Sequence, residues 1–153
     1  MIIMVIVQIN GKDGIGEEQF CRLLVKIEKQ WNPTLENQPG SLTEYGKKIY
    51  EKSIVLGAVV DGEIVGIAAV YVNNHDTKQA YLTYIACFEK FTHCGYGSEL
   101  LNSVLKTAQE AGMHQIMLEV KKTNRRAYNF YKKHGFVYSE DASDNSAYLL
   151  RKL

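Results

Sequence analysis

Residues 82–98 read LTYIACFEKFTHCGYGS and join an apolar strand to a loop that contains two glycines. The apolar positions that follow, beginning with Leu100-Leu101, recur at helical spacing, so the loop connects a strand to a helix. Such a loop directs several backbone N–H groups and the positive end of the helix dipole at one point, which creates an anion site. We interpret the anion as the pyrophosphate of a nucleotide-like cofactor.

Gly95 and Gly97 allow the backbone to come close to a phosphate and to turn into the helix, although ordinary turn glycines would show the same spacing. Their neighbours would contribute mainly backbone N–H groups. The residues of this kind are His93, Cys94, Tyr96 and Ser98. No Gly-Lys-Ser/Thr sequence follows the loop, which excludes a standard P-loop.

Composition excludes several classes of function. The 153-residue chain is 46% hydrophobic and 23% charged, with a net charge of +1, as expected for one globular domain spanning residues 1–153. Neither nucleic acid nor an anionic membrane is favoured as a partner at this net charge. The longest apolar runs are too short to cross a bilayer.

The first residues of the chain and its cysteines favour a cytoplasmic protein. The apolar start, residues 1–7, has no basic segment before it and no small-residue cleavage site after it, so it predicts a first strand. Cys21, Cys87 and Cys94 are odd in number and scattered, which argues against a disulfide framework and for a reducing compartment. The four histidines lack metal-ligand spacing, and no metal is expected.

The first third of the chain predicts one strand and two helices. Residues 2–9 form the strand, and residues 11–16 form a plain turn in which a third glycine of the dinucleotide fingerprint is missing. Helical spacing of apolar residues continues to Trp31, and Pro33 ends the helix. A loop then reaches Gly40, and the capping-box sequence of residues 41–44 opens a second helix. These two helices either wall a substrate cleft or only cover the sheet.

The remaining two thirds alternate strands with two more helices. Three strands form a meander at residues 53–60, 63–71 and 80–88, and further strands are expected at 115–120, 136–138 and 147–150. One helix follows the glycine loop and ends at Gly112, and another covers residues 123–134. Strands 80–88 and 115–120 should pair in parallel and the others antiparallel. The expected fold is α/β, with a mixed, mostly antiparallel sheet of about seven strands and about four helices.

Three motifs on these elements resemble the GNAT superfamily of N-acetyltransferases, which transfer acetyl from acetyl-CoA to an amine. They are the strand and glycine loop of residues 85–101, Leu118-Glu119-Val120 with Asn124 beyond it, and the run of residues 127–136, AYNFYKKHGF. The family usually has Arg or Gln where this chain has Thr92, so that pyrophosphate contact is expected to be either weaker or replaced by the Thr hydroxyl.

The resemblance assigns roles to individual residues. Ile85, Ala86 and Cys87 would bind pantetheine through the strand backbone, Asn124 would contact the cofactor at a helix start, and Tyr131 would lie near the cofactor sulfur. For each there is a structural alternative: core packing for the strand residues and Tyr131, and a helix cap for Asn124. A phenol is chemically suitable beside a departing thiolate, because a phenol with a pKa of about 10 can either protonate the thiolate or donate a hydrogen bond to it.

Glu119 is the candidate base. An alkylamine with a pKa of about 10.4 is almost wholly protonated at neutral pH and cannot attack until a group removes that proton. Glu119 interrupts an apolar run, so we expect it to be buried for a reason, either catalysis or pairing with Lys or Arg.

The function implied by the resemblance is N-acetylation by direct attack in a ternary complex with acetyl-CoA. A non-catalytic acyl-CoA-binding or regulatory module on the same fold is the alternative. The acceptor is an amine of a small molecule or peptide: an amino sugar, an amino acid, a polyamine and a peptide N-terminus all remain open. Family habit makes a homodimer plausible. The basic residues between 121 and 133 either hold cofactor phosphates or form a solvated helix face.

Overall fold

The computed structural model describes residues 3–32 and 39–153, and its elements alternate in the expected order. They are β1 (Met4–Gln8), α1 (Glu17–Trp31), α2 (Pro39–Lys52), β2 (Ile54–Val60), β3 (Glu63–Tyr71), β4 (Gln79–Cys87), a short 3-10 helix (Glu89–Phe91), α3 (Tyr96–Glu110), β5 (Gln115–Lys121), α4 (Arg125–Lys133), β6 (Val137–Asp141) and β7 (Ser146–Lys152). None of the described helices is long and apolar enough to cross a membrane.

The seven strands form one sheet in the order β1-β2-β3-β4-β5-β7-β6. Only β4 and β5 are parallel; all other neighbours are antiparallel. The predicted mixed, mostly antiparallel sheet with four flanking helices is therefore confirmed. The parallel pairing is shorter than predicted, because only Gln79–Tyr81 pairs with Gln115–Met117. Beyond these residues the two strands separate.

Both faces of the sheet are covered by apolar helix faces. On one face, α3 buries residues such as Leu100 and Leu101 against β2, β3 and β4. On the other face, α1 and α2 bury Phe20, Leu24 and Ile49. Burial of these apolar faces is the main stabilising contribution to the fold.

Two predictions about the first third of the chain have clear outcomes. The glycine-containing segment before α1 is a turn, in which a Cβ on Gly14 would clash with the Ile9 carbonyl. The capping-box prediction is wrong, because α2 already begins at Pro39 and Ser41 lies inside it. Proline is tolerated in the first turn of a helix, so it starts this one earlier. The predicted loop from Pro33 falls largely outside the described residues.

Candidate active site

The edge of β4 that faces β5 is open after Tyr81, the last residue of the parallel pairing. Two side chains from the first two helices reach this edge. The Tyr45 hydroxyl donates to the Thr83 carbonyl at 2.8 Å, and the Trp31 indole Nε1 donates to the Cys87 carbonyl at 3.1 Å. The carbonyls of Thr83 and Cys87 therefore point away from β3 into the cleft between the separating strands.

A cavity of about 520 Å³ opens beside this edge. Its walls come from the end of α1, from β4, from the glycine loop and from the start of α4. Seven of the residues selected from the sequence line it together: Ile85, Ala86, Cys87, Thr92, Gly97, Asn124 and Tyr131. The structure therefore joins the strand, loop and α4 motifs in one site, although 46 residues of sequence separate its first and last members.

The glycine loop ends in a conformation that requires glycine. Gly95 has φ +79° and immediately precedes Tyr96, the first residue of α3. The first amides of a helix have no intrahelical partner, and here the amide of Glu99 is the first that bonds back, to the Gly95 carbonyl. The start of α3 therefore presents unpaired N–H groups and a positive dipole end next to the cavity.

Two amides of the glycine loop already form hydrogen bonds within the turn that precedes it. The amides of Thr92 and Cys94 donate to the carbonyls of Glu89 and Phe91 at 3.2 and 3.3 Å. The Thr92 hydroxyl also donates to the Glu89 carbonyl, at 2.8 Å. Since a hydroxyl has one hydrogen to donate, Thr92 does not offer it to a phosphate. The amides available to an anion are those at the start of α3.

The glycine loop has no Lys or Arg between residues 92 and 98, but a cationic side chain of α4 lines the same cavity. Arg126, in the first turn of α4, lines the same cavity as Thr92 and Gly97. Its guanidinium suits a phosphate, because it is permanently charged and carries several donors. One member of the basic cluster therefore belongs to the site.

The other loop side chains lie outside the cavity. His93 and Cys94 are exposed. Tyr96 packs its ring against Phe91, with centroids 6.1 Å apart. The Ser98 hydroxyl lies 3.1 Å from Nε2 of His134, which ties the start of α3 to the end of α4. The side chains of Tyr96 and Ser98 thus hold the loop in place, as expected if only their backbone faces an anion.

Asn124 caps α4 and lines the cavity at the same time. Its Oδ1 accepts a hydrogen bond from the Ala127 amide at 3.2 Å. The cap uses the side-chain oxygen and leaves the amide NH₂ group as a donor. The structural role and a ligand contact are therefore compatible.

Tyr131 is half-buried on the inner face of α4, between aromatic rings. Its ring lies edge-on to Phe130 and Phe136, at centroid distances of 5.5 and 5.8 Å. Burial raises the pKa of Tyr131 to about 12, so the phenol is neutral at physiological pH. No hydrogen bond of its hydroxyl is found within residues 3–32 and 39–153, and the residue lines the cavity.

Cys87 does not have the properties of a nucleophile. Burial, and then the nearby Cys94, raise the pKa of its thiol to about 11. Because the thiolate is the reactive form, a protonated thiol at neutral pH is unreactive. The residue contributes its backbone and a buried side chain to β4.

Glu119 is placed differently from the prediction: it is exposed, and it does not line the cavity. It lies on β5 directly across from Tyr148 of β7. Its Oε2 accepts a hydrogen bond from the Ser146 hydroxyl at 2.7 Å. Among the described residues no Lys or Arg forms an ion pair with Glu119, so the predicted pairing alternative is not observed there.

A group of tyrosines on the α1–α2 side of β4 extends from the carboxylate of Glu119 to that of Glu28. Burial, and then Glu119, raise the pKa of Tyr81 to about 12. Burial raises the pKa of Tyr84 well above its usual range, and the Glu28 carboxylate raises it further. Tyr84 donates to Oε1 of Glu28 at 2.6 Å. No Lys or Arg acts on Tyr45, Tyr81 or Tyr84 within the described part of the chain.

Sequence reasoning missed several of these residues. Glu28 and Trp31 line the cavity from one face of α1, three residues apart. Their helical spacing was visible in the sequence, but their partners Tyr84 and Cys87 are each 56 residues away. Only the folded chain shows that α1 reaches the cleft. Of the two expectations for the first helices, the structure supports both, since α1 covers the sheet and also walls the cavity.

A larger cavity, of about 690 Å³, lies on the other side of α1. It is bordered by the β2–β3 turn and by Phe88 and Phe91. It contains neither Tyr131 nor the start of α3, both of which border the smaller cavity. Among the described residues no cluster of His, Cys, Asp or Glu could hold a metal ion.

The chain matches known proteins over the part that builds this site. The model of a family described as "Acetyltransferase (GNAT) family" matches residues 20–136. An N-alpha-acetyltransferase of Sulfurisphaera tokodaii is 32% identical over 123 residues, which cover 74% of this chain and 72% of that relative. N-alpha-acetyltransferase 50 of Danio rerio is 30% identical over 101 residues, 63% of this chain and 54% of that relative. The match thus spans about half the length of the Danio rerio protein.

A solved structure shares the complete fold. The PaiA N-acetyltransferase of Thermoplasma acidophilum, determined in complex with coenzyme A, superimposes with a TM-score of 0.74. The alignment covers 99% of both chains at 18% identity. At this identity the likeness establishes the fold.

Proposed function

The chain belongs to the acetyltransferase (GNAT) family, and from this premise we propose that it acetylates the amino group at a peptide N-terminus by direct attack in a ternary complex. The observation that carries the proposal is the single cavity shared by the open edge of β4, the start of α3 and the Tyr131 phenol.

Family membership confirms the general expectations drawn from the sequence. The chain is an acyltransferase, acetyl transfer goes to an amine, and acetyl-CoA is the cosubstrate. A non-catalytic acyl-CoA-binding module is therefore the weaker alternative. The roles of individual residues and the identity of the acceptor go beyond the family and are proposals.

We propose that three surfaces of the cavity bind different parts of the cosubstrate. The amides at the start of α3 and Arg126 hold the diphosphate, because both present donors and positive charge to the cavity. The open edge of β4 from Ile85 to Cys87 holds pantetheine through backbone hydrogen bonds. Asn124 adds its amide donor at the start of α4. Acetyl-CoA supplies the activated thioester.

Two side chains assist the proton transfers. Glu119 takes a proton from the acceptor ammonium, directly or through water, so that the neutral amine can attack the acetyl carbonyl. Strand-backbone N–H groups stabilise the oxyanion. Tyr131 donates a hydrogen bond to the departing thiolate, which takes up, by way of water, the proton that the attacking nitrogen loses as the intermediate collapses. The buried, neutral phenol suits this role, since its pKa of about 12 keeps the proton on the hydroxyl as a hydrogen-bond donor.

The acceptor class follows from the charges around the tyrosines. The acceptor side of β4 carries Tyr81 and Tyr84, with Tyr45 of α2 bonded to Thr83, and the carboxylates of Glu28 and Glu119 act on these phenols. An ammonium group suits a surface with two carboxylates, whereas they would repel the α-carboxylate of a free amino acid. A peptide N-terminus carries the amine without that carboxylate. The two curated relatives are N-alpha-acetyltransferases, which supports the same class.

Release of coenzyme A thiol in the presence of an acceptor panel tests the proposal. We expect release with peptides that carry a free N-terminus and none with the same peptides blocked at the N-terminus. Free amino acids should react at least about tenfold more slowly, since a tenfold difference corresponds to about 1.4 kcal/mol of transition-state binding. Preferential release with free amino acids or with diamines would overturn the choice of acceptor.

Location and assembly are further proposals. Cys21, Cys87 and Cys94 are all free thiols, which supports a reducing compartment such as the cytoplasm. A homodimer is proposed from family habit. Light scattering of the purified protein distinguishes a dimer of about twice 17.3 kDa from the monomer.

A further inference from the structure

Ser146 is a buried serine whose hydroxyl contacts the proposed base. It is only 5% exposed, although serine is mostly found at protein surfaces. Its Oγ donates to Oε2 of Glu119 at 2.7 Å. Glu119 pairs with Tyr148, and Lys121 pairs with Ser146, so the serine and the glutamate are diagonal neighbours on one face of the sheet.

A second serine, Ser143, supports Ser146 from behind. Ser143 Oγ lies 3.0 Å from Ser146 Oγ and accepts hydrogen bonds from the amides of Asn145 and Ser146, at 3.1 and 3.2 Å. A serine hydroxyl has one hydrogen. Because Ser146 gives its hydrogen to Glu119, the hydroxyl of Ser143 must donate to Ser146. The result is a chain of donors that runs from Ser143 through Ser146 to the carboxylate, and such chains strengthen their members.

We propose that Ser146, supported by Ser143, is a positioning residue that holds the Glu119 carboxylate in the orientation needed to deprotonate the acceptor amine. This inference rests on the proposed function, in which Glu119 is the base. An exposed glutamate without an ion pair samples many side-chain rotamers, and a hydrogen bond at one oxygen restricts them. The bond uses Oε2, and no partner of Oε1 is found within the described part of the chain, so Oε1 is available to the amine or to a water.

The surroundings of Glu119 agree with a held carboxylate. Glu119 lies two residues beyond Met117, the last residue of β5 that pairs with β4, so it stands where the two strands separate. Its charge also raises the pKa of the Tyr81 phenol of β4. Tyr148 lies directly opposite Glu119 and also acts on Tyr81. Ser146 therefore orients the carboxylate among the residues that border the acceptor side of β4.

The experiment measures kcat and KM for the full chain with Ser146→Ala. We expect kcat to fall about tenfold, while KM for the peptide and the affinity for coenzyme A change by less than about twofold, because Ser146 orients the base and contacts neither substrate in the proposed complex. Ser146→Thr keeps the hydroxyl and should restore the rate. Ser143→Ala, an exposed position, should lower kcat by less.

Ser53→Ala is the matched control. Ser53 is also buried, at 9% exposure, and its hydroxyl donates to the Ile49 carbonyl away from the site. It should leave kcat unchanged, whatever it does to stability. If Ser146→Ala does not fold, Ser143→Ala still tests the proposal through its kcat.

Glu119→Gln separates this inference from the proposed function. We expect it to lower kcat about 10²- to 10⁴-fold, the usual contribution of general base catalysis, and adding Ser146→Ala should then have no further effect. A large loss for Glu119→Gln with a wild-type kcat for Ser146→Ala would overturn the positioning role alone. Additive losses in the double variant would also overturn it. A wild-type rate for Glu119→Gln would overturn both the base and its positioning, while acetyl transfer itself stands.

Discussion

The indole of Trp31, at the end of α1, donates a hydrogen bond to the carbonyl of Cys87, at the end of β4, across 3.1 Å. This carbonyl lies on the strand edge that lines the cavity. Trp31 therefore occupies an acceptor that the pantetheine amides would use in the proposed complex. The indole ring also forms part of the cavity wall, so losing the ring and losing its N–H donor should have separate effects on coenzyme A binding.

Trp31→Phe removes the donor and keeps an aromatic wall. We expect coenzyme A to bind about two- to tenfold more tightly, because one hydrogen bond contributes a net 0.5 to 1.5 kcal/mol, roughly, and the carbonyl becomes available. Trp31→Ala, which also removes the wall, serves as the comparison. Isothermal titration calorimetry measures both, and weaker binding by Trp31→Phe would show that the indole assists the cofactor instead of competing with it.

The two loop glycines should respond differently to alanine. Gly95→Ala places a Cβ at φ +79°, and we expect a loss of stability on the order of 1 kcal/mol together with weaker coenzyme A binding. Gly97→Ala would place its Cβ 3.8 Å from the Phe130 ring, an ordinary contact, so the fold should be retained. Because Gly97 lines the cavity, its variant should still bind coenzyme A more weakly. Thermal unfolding with calorimetry separates the two effects, and equal losses of stability would contradict this prediction.

Tyr131→Phe tests whether the Tyr131 hydroxyl acts as a donor to the departing thiolate. We expect kcat to fall about 10- to 1000-fold while the dissociation constant of coenzyme A changes by less than about twofold, since the ring and its packing remain. Phe130→Leu, on the same helix and cavity, is the control for packing and should affect binding more than kcat. A Tyr131→Phe variant with a wild-type kcat would exclude the phenol from the chemistry.

The buried tyrosines predict a loss of stability at alkaline pH. Burial raises the pKa of both Tyr81 and Tyr131 to about 12, and that of Tyr84 further. In the unfolded chain each phenol ionises near pH 10, roughly, so the folded state binds more protons above that pH. The stabilisation is complete below about pH 10 and declines as the pH rises toward about 12.

Urea unfolding as a function of pH measures this decline. Tyr131→Phe should reduce the slope of unfolding free energy against pH by the equivalent of about one proton over that interval. Phe130→Leu on the same helix removes no titratable group and should leave the slope unchanged. An identical slope in wild type and Tyr131→Phe would show that the phenol is not held neutral by the fold.

The sequence alone predicted the sheet and the helices, because those features depend on local patterns, and the family resemblance selected most of the residues that line the cavity of about 520 Å³. Strand and helix periods identified the elements, and glycine spacing identified the loop before α3. Residues 85–87, Asn124 and Tyr131 were each selected from motifs and lie on one cavity.

The sequence could not predict contacts between distant elements. The early end of the β4–β5 pairing depends on how two strands diverge, and no local pattern encodes it. The predicted burial of Glu119 was wrong for the same kind of reason. An acidic residue within an apolar run suggested burial, but the Glu119 side chain is exposed. Ser146 reaches Glu119 from 27 residues away, through the register of β5 with β7.

The most direct test of the account is a crystal structure of the chain with coenzyme A bound. We predict that the diphosphate lies within about 3 Å of the amides at residues 95–98, with the pantetheine along residues 85–87 and the sulfur beside the Tyr131 hydroxyl. A diphosphate bound elsewhere, or a Tyr131 hydroxyl turned away from the sulfur, would contradict it.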